Sequence, residues 1–343
     1  MAYDWLDGFE IHQSATYIGR KYAVIGAPAG GTAGRLHGSA CNMAGTTITT
    51  PSLGVGVVRV AGFGLRLATF DNATFLQFLL GGIAQTTLTF NASRQVEIRR
   101  GPNNGTIIAT GTTQIPASSW VYIEVRLTIT DNTGPATGTI EVHINEVSEL
   151  NLSAIQTAPT ANGDGADQVR FVGKSAVTCE FDDFWSINED SGGTVGFRGD
   201  LVIEGILPTA AGASTQWSVT GAATNFDAVN DTAASPNNND YVSSDTNGQI
   251  DYYEHGDLGF ITGAVEAIAV SLGVRMDNAI GSRVIRPRFR RSSGTSGAGP
   301  NVSVSGTSVV EAVAVMEQDP TAGPGAWTLA EINAGQFGME VVS

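Results

Sequence analysis

Glu180 and Asp182 lie two residues apart in the run CEFDDFW, Cys179 to Trp185. In a strand, residues two apart project from one face. Glu180 and Asp182 should therefore stand side by side, with Val177, Cys179 and Phe181 on the opposite face. Two carboxyls on one face are the material of glycoside hydrolysis, in which a retaining enzyme holds a nucleophile and an acid about 5–5.5 Å apart. Three positions beyond Asp182 stands Trp185, which cannot donate a proton. The residue types thus predict no catalytic residue here. They assign Asp182 and Asp183 to bonding loop amides where the strand gives way to EDSGG.

Other polar groups carry different chemistry. Asp164 and Asp167, in NGDGAD with Asn162, offer oxygen ligands of the kind Ca2+ takes. Their spacing is not that of an EF-hand loop, and a glycine-rich turn decorated with Asx residues is the expectation. No cofactor is predicted, with Ca2+ kept as the alternative. Arg286, Arg288 and Arg290 alternate along RVIRPRFRR, with Ile285, Pro287 and Phe289 on the other face. Guanidinium forks bind carboxylates, whether of an acidic glycan or of the same or a neighbouring subunit. Pro287 marks this strand as an edge. Asn237, Asn238, Asp240 and Tyr241, in NNNDY, have the composition of a sugar contact, an aromatic beside polar acceptors. Packing or an interface anchor is the competing role for that tyrosine, as for Trp217, Tyr252, Tyr253 and Trp327. His12, His37, His143 and His255 are scattered, and Gly-x-Ser-x-Gly is absent from the sequence.

The elements that must position these residues are strands. Hydrophobic residues make up 42% of 343, whereas charged ones make up only 15%, which leaves a surface of Thr, Ser, Asn and Gly. With 43 glycines, turns must be frequent, and an all-β chain of two domains follows. A net charge of −15 opposes nucleic-acid binding, which needs a basic footprint. Two cysteines, Cys41 and Cys179, make neither a disulfide framework nor a zinc site, and buried thiols are expected over a single bridge. The opening MAYDWLDGFEIHQ has no signal-peptide pattern. The apolar stretch Phe75 to Ala84 is too short to insert in a membrane.

Alternation predicts strands at 55–61, 65–70, 75–80, 86–90, 95–100 and 106–110. The clearest is 120–130, where Val121, Ile123, Val125, Leu127 and Ile129 face in. After the turn DNTGPATG, a partner at 139–147 completes an antiparallel hairpin. One wet and one buried face describe a sandwich. The polar run after Trp185 divides the chain into domains of 1–190 and 191–343. A second β unit begins at Leu201, and 209–248 is a long polar loop, functional or packed on a partner. Strands return at 264–276, 284–291 and 308–317. A helical turn at 329–333 precedes a last strand at 336–342.

The alternating strand from Trp120, its hairpin partner, the closing CEFDDFW and the opening Asp7-Gly-Phe-Glu together resemble the concanavalin A-like (laminin G-like) jelly roll. The resemblance covers roughly the first half of the chain. It implies a first strand paired beside the last, and a smaller β-sandwich would follow it. Some glycosidases of that fold carry Glu-x-Asp-x-x-Glu on one strand, and Trp185 here replaces the last Glu. Over the whole chain, DDFWSINEDSG, FRGDLVIEGILPTAAGASTQW, NDYVSS and AWTLAEINAGQFGMEV are similar to a group of tailed-bacteriophage virion proteins. That resemblance implies a non-enzymatic structural protein assembled in the host cytoplasm onto a virion. It would sit on the tail or its host-facing end as a homo-oligomer among other virion proteins, with host surface glycan as a further contact. Capsid decoration and glycan degradation are the alternatives.

Overall fold

In the computed structural model, the described residues are 3–70, 72–131, 133–159, 163–174, 178–191, 196–261, 263–321 and 325–343. The chain is all-β, and its two compact units divide between Ile203 and Glu204, with Glu10–His12 grouped with the second unit.

The first unit is a jelly-roll sandwich of an eight-stranded and a seven-stranded sheet. In the larger sheet Val147–Ile155, Gly138–Ile144, Trp120–Thr128, Val58–Leu67, Cys179–Asn188, Ser39–Asn42 and Ala29–Ala33 lie side by side. Tyr3–Asp7 pairs antiparallel with the Cys179–Asn188 strand, so the first strand does lie beside the last. The smaller sheet runs Thr106–Thr110, Val96–Arg100, Ile83–Phe90, Thr74–Leu80, Gln168–Val172, Thr47–Thr49 and Ala23–Ile25. Between the sheets an aromatic cluster fills the core: Phe63 meets Phe171 at 5.2 Å, Phe171 meets Phe181 at 4.5 Å and Phe184 at 4.7 Å.

The expected hairpin forms, with Val125 opposite Val142, but its second strand ends at Ile144. Asn145 and Glu146 both have positive φ, 49° and 66°. Such a pair makes the two-residue turn that matches strand twist, and it launches a strand, Val147–Ile155, absent from the sequence reading. The expected strands at 55–61 and 65–70 are a single one, Val58–Leu67. Its Gly62-Phe63-Gly64 reads as a break yet continues the ladder, because larger side chains from elsewhere occupy the space over both glycines.

The second unit is built on a six-stranded sheet. Pro208–Thr215, Ile250–His255, Gln336–Val341, Arg283–Arg290 and Ser296–Ala298 follow one another, and Val302–Val304 also pairs with Arg283–Arg290. The separate pair Ile268–Val274 and Val310–Met316 supplies Ala312 and Met316 to cores with Ile285, Phe289, Trp327, Phe337 and Met339. Leu329–Asn333 is the expected short helix, capped by Thr328.

Three sequence expectations are corrected here. Leu201 begins no strand; 201–207 runs without a ladder. The polar stretch 209–248 is not all loop, since Pro208–Thr215 is a strand, as are the short Ser218–Thr220 and Tyr241–Ser243. Residues 209–215 are Ala, Gly, Ser and Thr, whose small side chains give no apolar alternation to read. Pro287 does not mark an edge, because Arg283–Arg290 has partners on both sides. One side is shared by two short strands, which pair with 283–285 and 288–290. Pro287 falls in the gap, where no donor is needed, and its carbonyl accepts from Gly299 N at 2.9 Å.

Candidate functional site

The outer face of the eight-stranded sheet gathers the acidic residues that the sequence singled out. Glu180 and Asp182 do share this face, opposite Arg66 and Gly64 of the neighbouring strand. The strand does not end at Asp182. A bulge at Asp183, with φ 49°, carries it on to Asn188. The extra residue resets the alternation, so Phe181 and Phe184 both enter the core while Asp182 and Trp185 both face outward.

Each carboxylate on this face has a partner inside the protein. Glu180 pairs with Arg66. Asp182 accepts from Arg35 N at 2.6 Å and from Asp183 N at 2.9 Å. Asp183 takes the Arg35 guanidinium at 2.8 Å and the amide of Ile203 at 2.7 Å. Bonding to amides is thus the observed role of both aspartates. Burial pushes their carboxyls above the ordinary range; the charge of Asp183 adds to this at Asp182, while Arg35 opposes it at Asp183.

Arg35 comes from the turn between Ala29–Ala33 and Ser39–Asn42. Its side chain passes over Gly64, where a β-carbon would stand 2.7 Å from its Cδ. The guanidinium lies 4.7 Å from the centre of the Tyr122 ring and reaches Asp200 at 2.6 Å and Leu201 O at 2.9 Å. The Tyr122 hydroxyl in turn accepts from the Trp185 indole at 2.6 Å.

Segment 196–203 runs across this face as a strap, held through its own backbone. Gly196 N donates to Glu189, Arg198 N and Gly199 N to Glu124, and Ile203 N to Asp183, all within 2.7–3.0 Å. Its side chains cover the aromatic groups: Phe197 stacks on His143 at 3.8 Å, and the Arg198 guanidinium lies over Tyr3. Glu124 is buried beneath it. Burial drives its carboxyl up to about 7 against the two amides, with Glu146 and Asp200 adding to the rise.

The arginine row of the second unit is largely internal. Arg286 grips Glu340 through two bonds, 2.8 and 3.0 Å, and Arg288 reaches Glu340 at 3.3 Å and Ser296 at 3.1 Å. Arg290 has no carboxylate partner among the described residues. Asn237 turns back on its own loop, accepting from Asn239 N at 3.1 Å while its amide donates to Asp231. Tyr241 is 40% exposed, with Arg275 over its ring. Asp240 and Asn238 lie in that same loop, so Arg286, Arg288 and Arg290 form one group and 237–241 another.

Asp164 and Asp167 point to different tasks. Asp164 accepts from Asp131 N at 2.8 Å, and Asp167 from Gly81 N at 3.0 Å and Ser52 at 3.2 Å. Asn162 lies outside the described residues. Among those described, no group of three His, Cys, Asp or Glu side chains is placed to hold a metal ion, and no helix is long and apolar enough to cross a membrane. Cys41 and Cys179 are free and buried; burial pushes the Cys179 thiol up to about 12.

Sequence reasoning missed Arg35, Glu124 and the strap. A trace was present: a glycine pair inside an apolar strand marks a close approach, and FRGDL carries both charges that meet the sheet.

No family model matches the chain, and no curated protein does. Among solved structures the chain is similar to the cellulose-induced protein Cip1, at 14% identity over 54% of this chain and 97% of that one, with a TM-score of 0.39. It is similar to an endo-β-1,4-glucuronan lyase from the fungus Trichoderma reesei, at 13% identity over 54% and 91%, with a TM-score of 0.37. Domain 4 of AbnA, a GH43 extracellular arabinanase from Geobacillus stearothermophilus, is similar at 13% identity over 55% and 92%, with a TM-score of 0.40.

Proposed function

We propose that this chain is a non-enzymatic structural component of a phage virion, on the tail or its host-facing end. It works there as a homo-oligomer through contacts with other virion proteins and with host surface glycan. The observation that supports a binding and structural role is the covered face of the eight-stranded sheet. Its carboxylates hold Arg35, Arg66 and the amides of 196–203, and Phe197 and Arg198 lie over its aromatic groups. A hydrolase needs an acid and a base facing substrate; here those groups face the protein's own chain. The virion setting rests on the resemblance of DDFWSINEDSG, NDYVSS and the carboxyl-terminal run. Glycan contact falls to the second unit, where Tyr241 is exposed and Arg290 is without a carboxylate among the described residues. Capsid decoration is the second reading, supported by the same resemblance.

Immunogold labelling of intact particles tests the placement. Gold at the tail tip is expected; gold confined to the head would replace tail with capsid decoration, and unlabelled particles would remove the virion reading. A glycan array probed with the full chain tests the contact, with binding lost in Tyr241→Ala. Turnover of host polysaccharide by the purified chain would overturn the non-enzymatic assignment.

A further inference from the structure

We propose that segment 196–203 is a latch, fastened to the sheet by Glu124, and that protonation of this one carboxyl tightens it. The geometry is asymmetric. Arg198 N at 2.7 Å and Gly199 N at 3.0 Å both donate to Oε1, while Oε2 is buried without a hydrogen-bond partner among the described residues. A neutral carboxylic acid suits this arrangement, its carbonyl oxygen taking both amides and the other oxygen carrying the proton. A buried anion would leave one charged oxygen unsolvated, which is costly.

The surroundings set the direction. On its own strand Glu124 has Tyr122 and Arg126; across from it stand His143 on one side and uncharged Gly62 on the other, with Glu141 beyond. The turn contributes Glu146, the closing strand Asp182 and Asp183, the helical turn after it Glu189, the Ala29–Asn42 hairpin Arg35 and His37, and the latch itself Arg198 and Asp200. Arg126 is taken by Glu189 and Glu141, and Arg35 by Asp183 and Asp200. Burial therefore prevails at Glu124, helped by Glu146 and Asp200, and its carboxyl titrates at about 7 in place of 4.5. A carboxyl raised in the closed form contributes closure that is complete below the open-form value and lost as the pH climbs through 7. Above that, the Arg35–Asp200 pair and the Asp183–Ile203 bond hold the latch less tightly, and Tyr122, Trp185 and His143 become accessible more often.

Hydrogen–deuterium exchange of the full chain, with labelling times scaled to the intrinsic rate at each pH, reads the latch directly. The amides of Arg198 and Gly199 should be at least about tenfold better protected near pH 5 than near pH 9. Glu124→Gln, neutral throughout, should keep the acid-side protection at both ends. Exposed Glu146→Gln should move the midpoint to lower pH, and it serves alone if Glu124→Gln does not fold. Protection that is flat with pH in the wild type overturns the latch, as does a midpoint unmoved by either variant. The exchange readout is independent of where the chain sits on a particle, so it can fail while the virion reading stands, or the reverse.

Discussion

The indole of Trp185 occupies the space into which a β-carbon on Gly62 would project. The two residues are directly paired across neighbouring strands, so the glycine is the condition for the tryptophan. Gly62→Ala should force the ring off Tyr122 and cost about 1–3 kcal/mol, the range of core overpacking. Gly134→Ala, where a β-carbon meets nothing within 4 Å, is the control and should change stability little. Urea unfolding of the two variants checks this.

Arg35 is the counter-ion of buried Asp183 and of the more exposed Asp200. Arg35→Met should cost about 3–5 kcal/mol, since it leaves the buried Asp183 carboxylate without its partner charge. Arg35→Lys should recover little of it, because a single ammonium cannot meet Asp183, Asp200 and Leu201 O together. Denaturant midpoints of the two variants decide the matter.

Asp251 organises the stretch that reads as a long polar loop. Its two oxygens accept from Gln216 N, Trp217 N, Asn225 Nδ2 and the Tyr253 hydroxyl, between 2.6 and 3.0 Å. Asp251→Ala should cost about 3 kcal/mol, as the buried Tyr253 hydroxyl and three part-buried donors lose their acceptor. Faster amide exchange in 216–249 without a change in the first unit is the expected signature.

Glu340 sets an acid limit on the second unit. The bonds from Arg286 hold its carboxyl below the usual 4.5, with the charges of Arg286 and Arg288 adding to the effect. A depressed carboxyl stabilises the fold above its unfolded value, and that stability is lost as the pH falls through the folded one. Melting temperature should therefore drop below about pH 4.5, and less steeply in Arg286→Gln, whose melting curves at low pH give the test.

The first unit was legible where large apolar residues alternate, as in 120–128 and 179–181. It became illegible where the signal changes kind. Val147–Ile155 is mostly exposed on both faces, so it has no buried alternation to detect. Pro208–Thr215 alternates in exposure, but with side chains too small to register. At the candidate site, the sequence located Glu180, Asp182 and Asp183 and assigned the two aspartates to amide bonding. It could not show which amides. Arg35 lies 148 positions from Asp183 in the chain, and only the sheet order brings the two together.

Both thiols of this chain, Cys41 and Cys179, are sealed inside the first unit, and the second unit contains no cysteine. A thiol-reactive dye therefore acts as a clock for one half of the molecule. Its reaction rate counts the openings of the jelly roll alone, whatever the second unit does. One polypeptide thus carries a chemical reporter confined to one of its two units, placed there by packing alone.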